Sequence, residues 1–425
     1  MPPVKHLKCL LCGKEYKPEE VLYVCPDHGT EGILDVQYDY ESIGRAISRS
    51  ALQGEGHNLW RYRPLLPVAI SQPVPPLQVG WTPLYFAPRL ANPLGLHHLW
   101  VKDETRQPTG SLKDRASAIA LLKAEEIGAS VITTASTGNA AAALSGLCAS
   151  VGRANVIFVP ESAPEAKVAQ LMAYGSTVFL VEGTYDEAFD LCLKAAQAYG
   201  WYIRSTGFNP YMTEGKKTAA YEICEQLHWD PPDVIFVPVG DGCILGGIHK
   251  GLKDLIALGW ITRMPRLIGV QAAGSAALYH AWKRGIDPAR IEPIKAQTIA
   301  DSLSAGLPRD RIKAMKAVQE TGGAFVRVTD EEILKSISIL AQGCGVFAEP
   351  AGAASYAGLV EALRTGLIRS DERIVLLVTG SGLKDIASAM KSVAHKPKRI
   401  APTLDAVEEA LRQGLLPSHQ KGNIR

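Results

Sequence analysis

Along the middle of the chain, apolar positions come in short unbroken runs rather than in alternation with polar ones. HHLWVKD, SVITTAS, NVIFVP, TVFLVEG, WYIRST, DVIFVPVG, RLIGVQA and RIVLLVTG are rich in β-branched and aliphatic residues and read as strands. Strands that lack a polar face belong in sheets covered on both sides. Between most of them lie helical stretches: SAIALLKAEEIG, AAAALSGLCASVG, EAKVAQLMAYG and TYDEAFDLCLKAAQAYG. Strand alternating with helix from about 97 to 390 predicts an α/β protein with parallel sheets in doubly wound layers. Such layers bind ligands in loops at the carboxyl ends of their strands.

The flanks break this pattern. Between 58 and 93 stand Pro64, Pro67, Pro73, Pro75, Pro76, Pro83, Pro88 and Pro93. That stretch is neither one long helix nor a central strand, and predicts an arm lying on a neighbouring surface. The tail from 391 opens with the basic KSVAHKPKR and holds one amphipathic helix near 403–415. There is no internal repeat.

Composition narrows the class. With 47% hydrophobic and 21% charged residues, the 425-residue chain is globular rather than disordered. A net charge of +2 argues against a nucleic-acid partner held by a basic surface. No apolar run approaches the roughly 18 residues of a membrane span, and the start shows no signal peptide. The expectation is a cytoplasmic protein with no membrane partner and reduced thiols. Eight cysteines in so long a chain are too sparse for a disulfide framework.

Four loops carry chemistry. In Pro108-Thr109-Gly110-Ser111-Leu112-Lys113-Asp114-Arg115, the breakers precede an apolar helix, which puts Lys113 in a helix's first turn. The dipole there disfavours the charged amine, which suits a Schiff-base lysine. The plain alternative is a surface lysine paired with Asp114. Ser136-Thr137-Gly138-Asn139 joins a strand to a helix. It offers a hydroxyl and an amide to a ligand, or is an ordinary N-cap. Gly240-Asp241-Gly242-Cys243-Ile244-Leu245-Gly246-Gly247 precedes a helix and reads as an anion site. It matches neither the P-loop nor the dinucleotide spacing. Its Asp241 should point away from a phosphate and bond backbone. Thr379-Gly380-Ser381-Gly382 leaves the last strand, where a hydroxyl could meet a ring nitrogen or simply cap a helix.

The N-terminus adds a metal candidate. Cys9-x-x-Cys12 is followed after twelve residues by Cys25-x-x-His28, two knuckles with four ligands for tetrahedral zinc. With four protein ligands such a site is structural. The alternative is a ribbon that has lost its metal.

The four loops, in this order, resemble the fold-type II pyridoxal-phosphate enzymes. TGSLKDR, NPYMTEGKKTAAYEI (209–223), EPAGAASYAGL (349–359) and the Cys-rich lead-in look most like the threonine synthase family within them. The resemblance covers roughly residues 5–390. It implies pyridoxal 5′-phosphate held covalently by Lys113. Asn139 would bond the ring oxygen, and the backbone of Gly240, Asp241, Gly242, Cys243 and Ile244 the phosphate. Thr379 would meet the pyridine nitrogen, and Thr137 would touch substrate as a second catalytic residue. The implied reaction converts O-phospho-L-homoserine and water to L-threonine and phosphate.

It further implies a homodimer and five regions: a zinc-ribbon-like segment at 1–45, an arm and part of the large domain at 46–104, a small mobile domain at 105–205, the large domain at 206–395 and a tail at 396–425. Three positions depart from the family pattern. Met212 stands where arginine is common, Ile244 where many carry a polar residue, and Ser381 where histidine is usual. These leave the cofactor assignment intact and put the leaving group in question. Lys216, Lys217 and Arg106 are candidate replacements for the missing cation. The alternative is a threonine or serine ammonia-lyase, or another β-replacement enzyme of the same fold, which needs no site for a substrate phosphate.

Overall fold

The structure, a computed structural model, describes residues 4–136, 138–161, 163, 165–393 and 397–413. Its strands in chain order are β1 (Val4–Cys9), β2 (Glu15–Tyr16), β3 (Leu34–Tyr38), β4 (Leu84–Phe86), β5 (His98–Asp103), β6 (Val131–Ala135), β7 (Ala154–Pro160), β8 (Thr177–Val181), β9 (Tyr202–Ile203), β10 (Val234–Pro238), β11 (Arg266–Ala272), β12 (Ala324–Val328) and β13 (Arg373–Val378). All eight expected runs form strands.

They fall into two sheets. The larger has the order β12-β11-β10-β13-β5-β4, and the smaller β8-β7-β6-β9. Every pairing is parallel except β4 with β5. β10 is buried at all five positions, as a strand covered on both faces must be. β12 and β4 were not expected. Arg327, the polar residue inside the β12 run, points to solvent, and β4 is a short edge strand with Tyr85 and Phe86 exposed.

The proline-rich arm lies deeper than a surface strap. Its 3-10 helix Leu59–Leu65 and the turns after it bury Leu59, Tyr62, Leu65, Leu66, Val68 and Val79 in the main core. Proline excludes the arm from helix and sheet interiors but not from apolar packing. At the N-terminus, β2-β1-β3 make a small antiparallel sheet.

Residues Met1–Ser392 form one compact unit and Val393–Arg425 a second. The second holds the expected tail helix, Leu404–Arg412, whose Thr403 hydroxyl caps the Ala406 amide. Among the described residues no helix is long and apolar enough to cross a membrane.

Candidate active site

The chemistry-bearing loops converge at the carboxyl ends of the two parallel sheets. Lys113 opens the helix Lys113–Glu126, as its sequence context predicts. The turn before it is laced to the end of β13: the Leu112 amide bonds the Thr379 carbonyl at 2.9 Å, and the Ser381 amide bonds the Gly110 carbonyl at 2.9 Å. Lys113 and Thr379 are thereby held side by side.

The Lys113 amine is pushed down to about 7, chiefly by burial and then by the charges of Lys216 and Arg204. The helix dipole invoked from sequence is not the main cause. Asp114 does not pair with the lysine. Its carboxylate accepts from the Thr109 amide (2.7 Å) and hydroxyl (2.5 Å), closing the loop on itself. Burial raises the Asp114 carboxyl to about 6.

Asn139 starts the helix Asn139–Ser150 and is buried. Its amide nitrogen donates to Glu349 Oε1 at 2.7 Å and to Ser302 Oγ at 3.3 Å. Glu349 is the N-cap residue of the helix Pro350–Arg364, yet its side chain makes no capping bond. It faces Asn139 instead, and its carboxyl is raised by burial. Thr137, the predicted substrate contact, lies outside the described residues.

The glycine-rich loop runs from β10 into the helix Cys243–Ala257. The amides of Cys243, Ile244 and Leu245 have no carbonyl a turn behind them to bond, so they are donors free for an anion. Asp241 behaves as expected: its carboxylate takes the Arg309 amide at 3.3 Å, and its carbonyl the Asp310 amide at 2.9 Å.

Met212 is fully buried in the main core, on the short helix Met212–Lys216. Lys216, on that helix, is also fully buried and bonds the Thr206 hydroxyl at 3.2 Å, with its charge lowering the Cys243 thiol's pKa against the rise that burial imposes. Gly215 makes this placement possible, because a Cβ there would sit 2.0 Å from the Arg115 carbonyl oxygen. The other two candidate cations are elsewhere. Lys217 is tied to Glu214 at 2.7 Å and Asp254 at 2.8 Å, and Arg106 is exposed.

Beneath Lys113 lies a buried ionic network. Arg115 grips Glu104 side-on at 2.7 and 2.8 Å and reaches Glu222 at 2.5 and 2.7 Å. Lys102 bonds Glu222 at 2.7 Å. Burial alone would raise the Glu222 carboxyl, but Arg115 and Lys102 outweigh it and hold it at about 2. The network ties the Lys113 turn to the NPYMTEGKKTAAYEI stretch.

A cleft of about 510 Å³ opens beside these loops, lined by Thr109, Gly110, Gly138, Asn139, Tyr174 and Lys384 among others. Lys113 is not among its lining residues. Pyridoxal phosphate fits the surrounding groups on three observations. Free amides begin the helix at Cys243; the Ser111 hydroxyl, two residues before Lys113, is buried with no partner among the described residues; and Lys113 is a half-buried amine with a depressed pKa. Ser302 and Glu349 as neighbours of Asn139 were not legible from spacing. Glu349 carried a signal in EPAGAA, whereas Ser302 lies in the one-turn 3-10 helix Asp301–Leu303, too short to leave a pattern.

The four metal candidates also converge. The ligand atoms of Cys9, Cys12, Cys25 and His28 all lie within 4.8 Å of one another.

Comparison with known proteins agrees with this geometry. Residues 76–380 match the family model described as "Pyridoxal-phosphate dependent enzyme". The threonine synthase of Methanocaldococcus jannaschii is 38% identical over 409 residues, 96% of this chain and 99% of the relative. That of Methanosarcina acetivorans is 39% identical over 96% of this chain and 98% of the relative. Among solved structures, a threonine deaminase isoform of Solanum lycopersicum superposes with a TM-score of 0.63 at 24% identity, covering 73% of this chain and 82% of that one. At that identity the likeness speaks for the fold alone. The chain belongs to the pyridoxal-phosphate dependent enzyme family and, by similarity along nearly its full length, stands with the threonine synthases within it.

Proposed function

We propose that this enzyme is a threonine synthase that converts O-phospho-L-homoserine and water to L-threonine and phosphate, with Lys113, Asn139, Thr379 and the Gly240–Ile244 loop as its cofactor site. The carrying observation is a half-buried, depressed-pKa lysine flanked by a buried cation, Lys216, that no carboxylate among the described residues pairs with.

When bound, pyridoxal phosphate supplies the electron sink that allows a proton to leave the α-carbon of an amino acid. The chain's residues do the rest. Lys113, poised near neutrality, takes a proton from Cα and can return one further along the carbon chain. Asn139 donates its amide, oriented by Glu349. Thr379 offers an uncharged hydroxyl where a carboxylate would enforce protonation of a ring nitrogen. The free amides at Cys243 and beyond bind phosphate. Thr137 is kept as the proposed substrate contact from the family pattern.

Lys216 takes the part of the arginine replaced by Met212. A phosphate dianion needs a charged donor, and Lys216 lies close enough to Lys113 to lower its pKa. Binding of a dianion there would offset that field and make Lys113 more basic as substrate arrives. Lys216→Met is expected to raise the KM for O-phospho-L-homoserine roughly 10–100-fold, the worth of one hydrogen bond to a charged group. Steady-state kinetics on the refolding-competent variant tests this. An unchanged KM assigns the phosphate to another group.

The test of the reaction is a paired product assay on the holoenzyme, with O-phospho-L-homoserine in one arm and L-threonine in the other. Threonine and phosphate released together support the proposal. A 2-oxo acid and ammonia from L-threonine, with phosphohomoserine untouched, would make the enzyme an ammonia-lyase. A cytoplasmic homodimer whose 105–205 region closes over substrate completes the proposal. Light scattering of the holoenzyme checks the assembly.

A further inference from the structure

The N-terminal sheet carries two turns of the same build. In the first, Cys9 ends β1, and the Gly13 amide bonds the Cys9 carbonyl at 3.0 Å. In the second, the Gly29 amide bonds the Cys25 carbonyl, also at 3.0 Å. Gly13 and Gly29 both take positive φ, 75° and 54°, which closes each turn. Each turn offers one buried thiol, Cys9 or Cys25, and one exposed group, Cys12 or His28. Two knuckles of one design, facing each other, place four soft donors around one point.

The spacing suits zinc. Tetrahedral bonds of about 2.3 Å to sulfur and 2.0–2.1 Å to nitrogen put sulfur and nitrogen about 3.6 Å apart. Cys25 Sγ and His28 Nδ1 are 3.5 Å apart. The Tyr16 hydroxyl lies 3.0 Å from Cys25 Sγ, placed to orient that ligand from outside. Three thiols with one imidazole are not a disulfide set.

The knuckles are also wired to the active site. Three residues after His28, Glu31 pairs with Arg311. Arg311 directly follows Arg309 and Asp310, the two residues whose amides hold Asp241 of the glycine-rich loop. Between the knuckles, the Tyr23 hydroxyl accepts the Ile203 amide at 2.9 Å, and its ring packs 5.0 Å from that of Phe208. On β3, the Tyr38 hydroxyl donates to Glu214 at 2.5 Å, on the short helix that carries Lys216.

We propose that Cys9, Cys12, Cys25 and His28 hold a structural zinc ion, and that the zinc-locked ribbon braces the glycine-rich loop and the 202–217 segment. The metal does no chemistry on substrate. It fixes Glu31, Tyr23 and Tyr38, which in turn fix backbone around the cofactor phosphate and Lys216. The bracing part rests on the proposed cofactor site, whereas the zinc part does not.

The test uses full-length holoenzyme from zinc-supplemented culture, purified without chelator. Elemental analysis is expected to find about one zinc per chain. Cys12→Ser changes an exposed thiol that packs against nothing in the core, so without a metal it would be silent. With one, it is expected to cut zinc content at least about tenfold, lower the thermal midpoint and weaken pyridoxal phosphate binding at least about fivefold. Cys344→Ser serves as control and leaves zinc unchanged. Protein that arrives metal-free, or holds iron instead, overturns the zinc assignment. Zinc lost from Cys12→Ser with cofactor affinity unchanged overturns the brace. Failure of the synthase assay would leave the zinc stoichiometry untouched, which separates the two readings.

Discussion

Lys113→Ala is expected to abolish covalent retention of pyridoxal phosphate and to slow turnover roughly 10²–10⁴-fold, the range spanned by a positioned acid–base group. Lys113 is a half-buried amine between Thr379, the glycine-rich loop and Glu349, and methyl in its place removes the base proposed to act at Cα. Borohydride trapping followed by mass spectrometry reads the attachment site, and the product assay reads the rate. The pH dependence gives an independent check. Attachment requires the neutral amine, and a pKa of about 7 makes half of Lys113 neutral there, against 10.5 for an ordinary lysine. The loading rate of the apoenzyme is therefore expected to rise with pH, reach half its plateau near 7 and stay flat above about 8. In Lys216→Met, which removes one of the charges lowering that pKa, the midpoint moves upward. A midpoint near 10 in the unaltered enzyme, or more than about a tenth of the turnover in Lys113→Ala, would remove Lys113 from the role.

The fold and the site were legible to different depths. Apolar runs such as VIFVP and IVLLV fix strands whatever their neighbours, because burial on both faces is written into each run. The edge strand Leu84–Phe86 was hidden because its signal is three residues long and flanked by prolines. Lys113 was visible because Gly110 and Pro108 announce a break before an apolar helix. The cause of its low pKa was not, since burial and the proximity of Lys216 and Arg204 exist only after residues about 90 to 100 positions apart are brought together. The same holds for Glu349, whose place just before the helix Pro350–Arg364 suggests a cap, while tertiary packing turns it toward Asn139. Met212, a thioether, cannot bind an anion, and that much is legible in the sequence. Only the fold shows that it is core, and that Lys216 on the same short helix lies near enough to Lys113 to lower its pKa.

Breaking the ionic network under Lys113 is expected to produce the largest loss of stability. Arg115→Met leaves Glu104 and Glu222 buried with Lys102 as their remaining cationic neighbour, and uncompensated buried charge costs about 3–5 kcal/mol. The worth of the network is not a surplus of Coulomb attraction over an apolar core of the same shape, since desolvation offsets much of it. Its consequence is positional. Arg115 is two residues from Lys113, Glu222 lies at the end of the NPYMTEGKKTAAYEI stretch, and Glu222 also accepts the Trp81 and Thr82 amides at 2.7 and 3.2 Å. One carboxylate thus holds the proline-rich arm, the lysine turn and the Lys216 segment together. The folded-state pKa of Glu222, about 2, lies below its ordinary 4.5. Its contribution is therefore complete above about 4.5 and is lost as pH falls toward 2, because the unfolded chain takes up the proton first. Urea unfolding of the unaltered enzyme should show stability falling as pH drops through that window, and Glu222→Gln should flatten the part that belongs to this group. Glu331→Gln, which breaks an exposed pair with Lys335, should leave the midpoint unchanged. An Arg115→Met enzyme as stable as its parent would mean that water reaches the two carboxylates, and that the arm, not the network, holds the Lys113 turn in place.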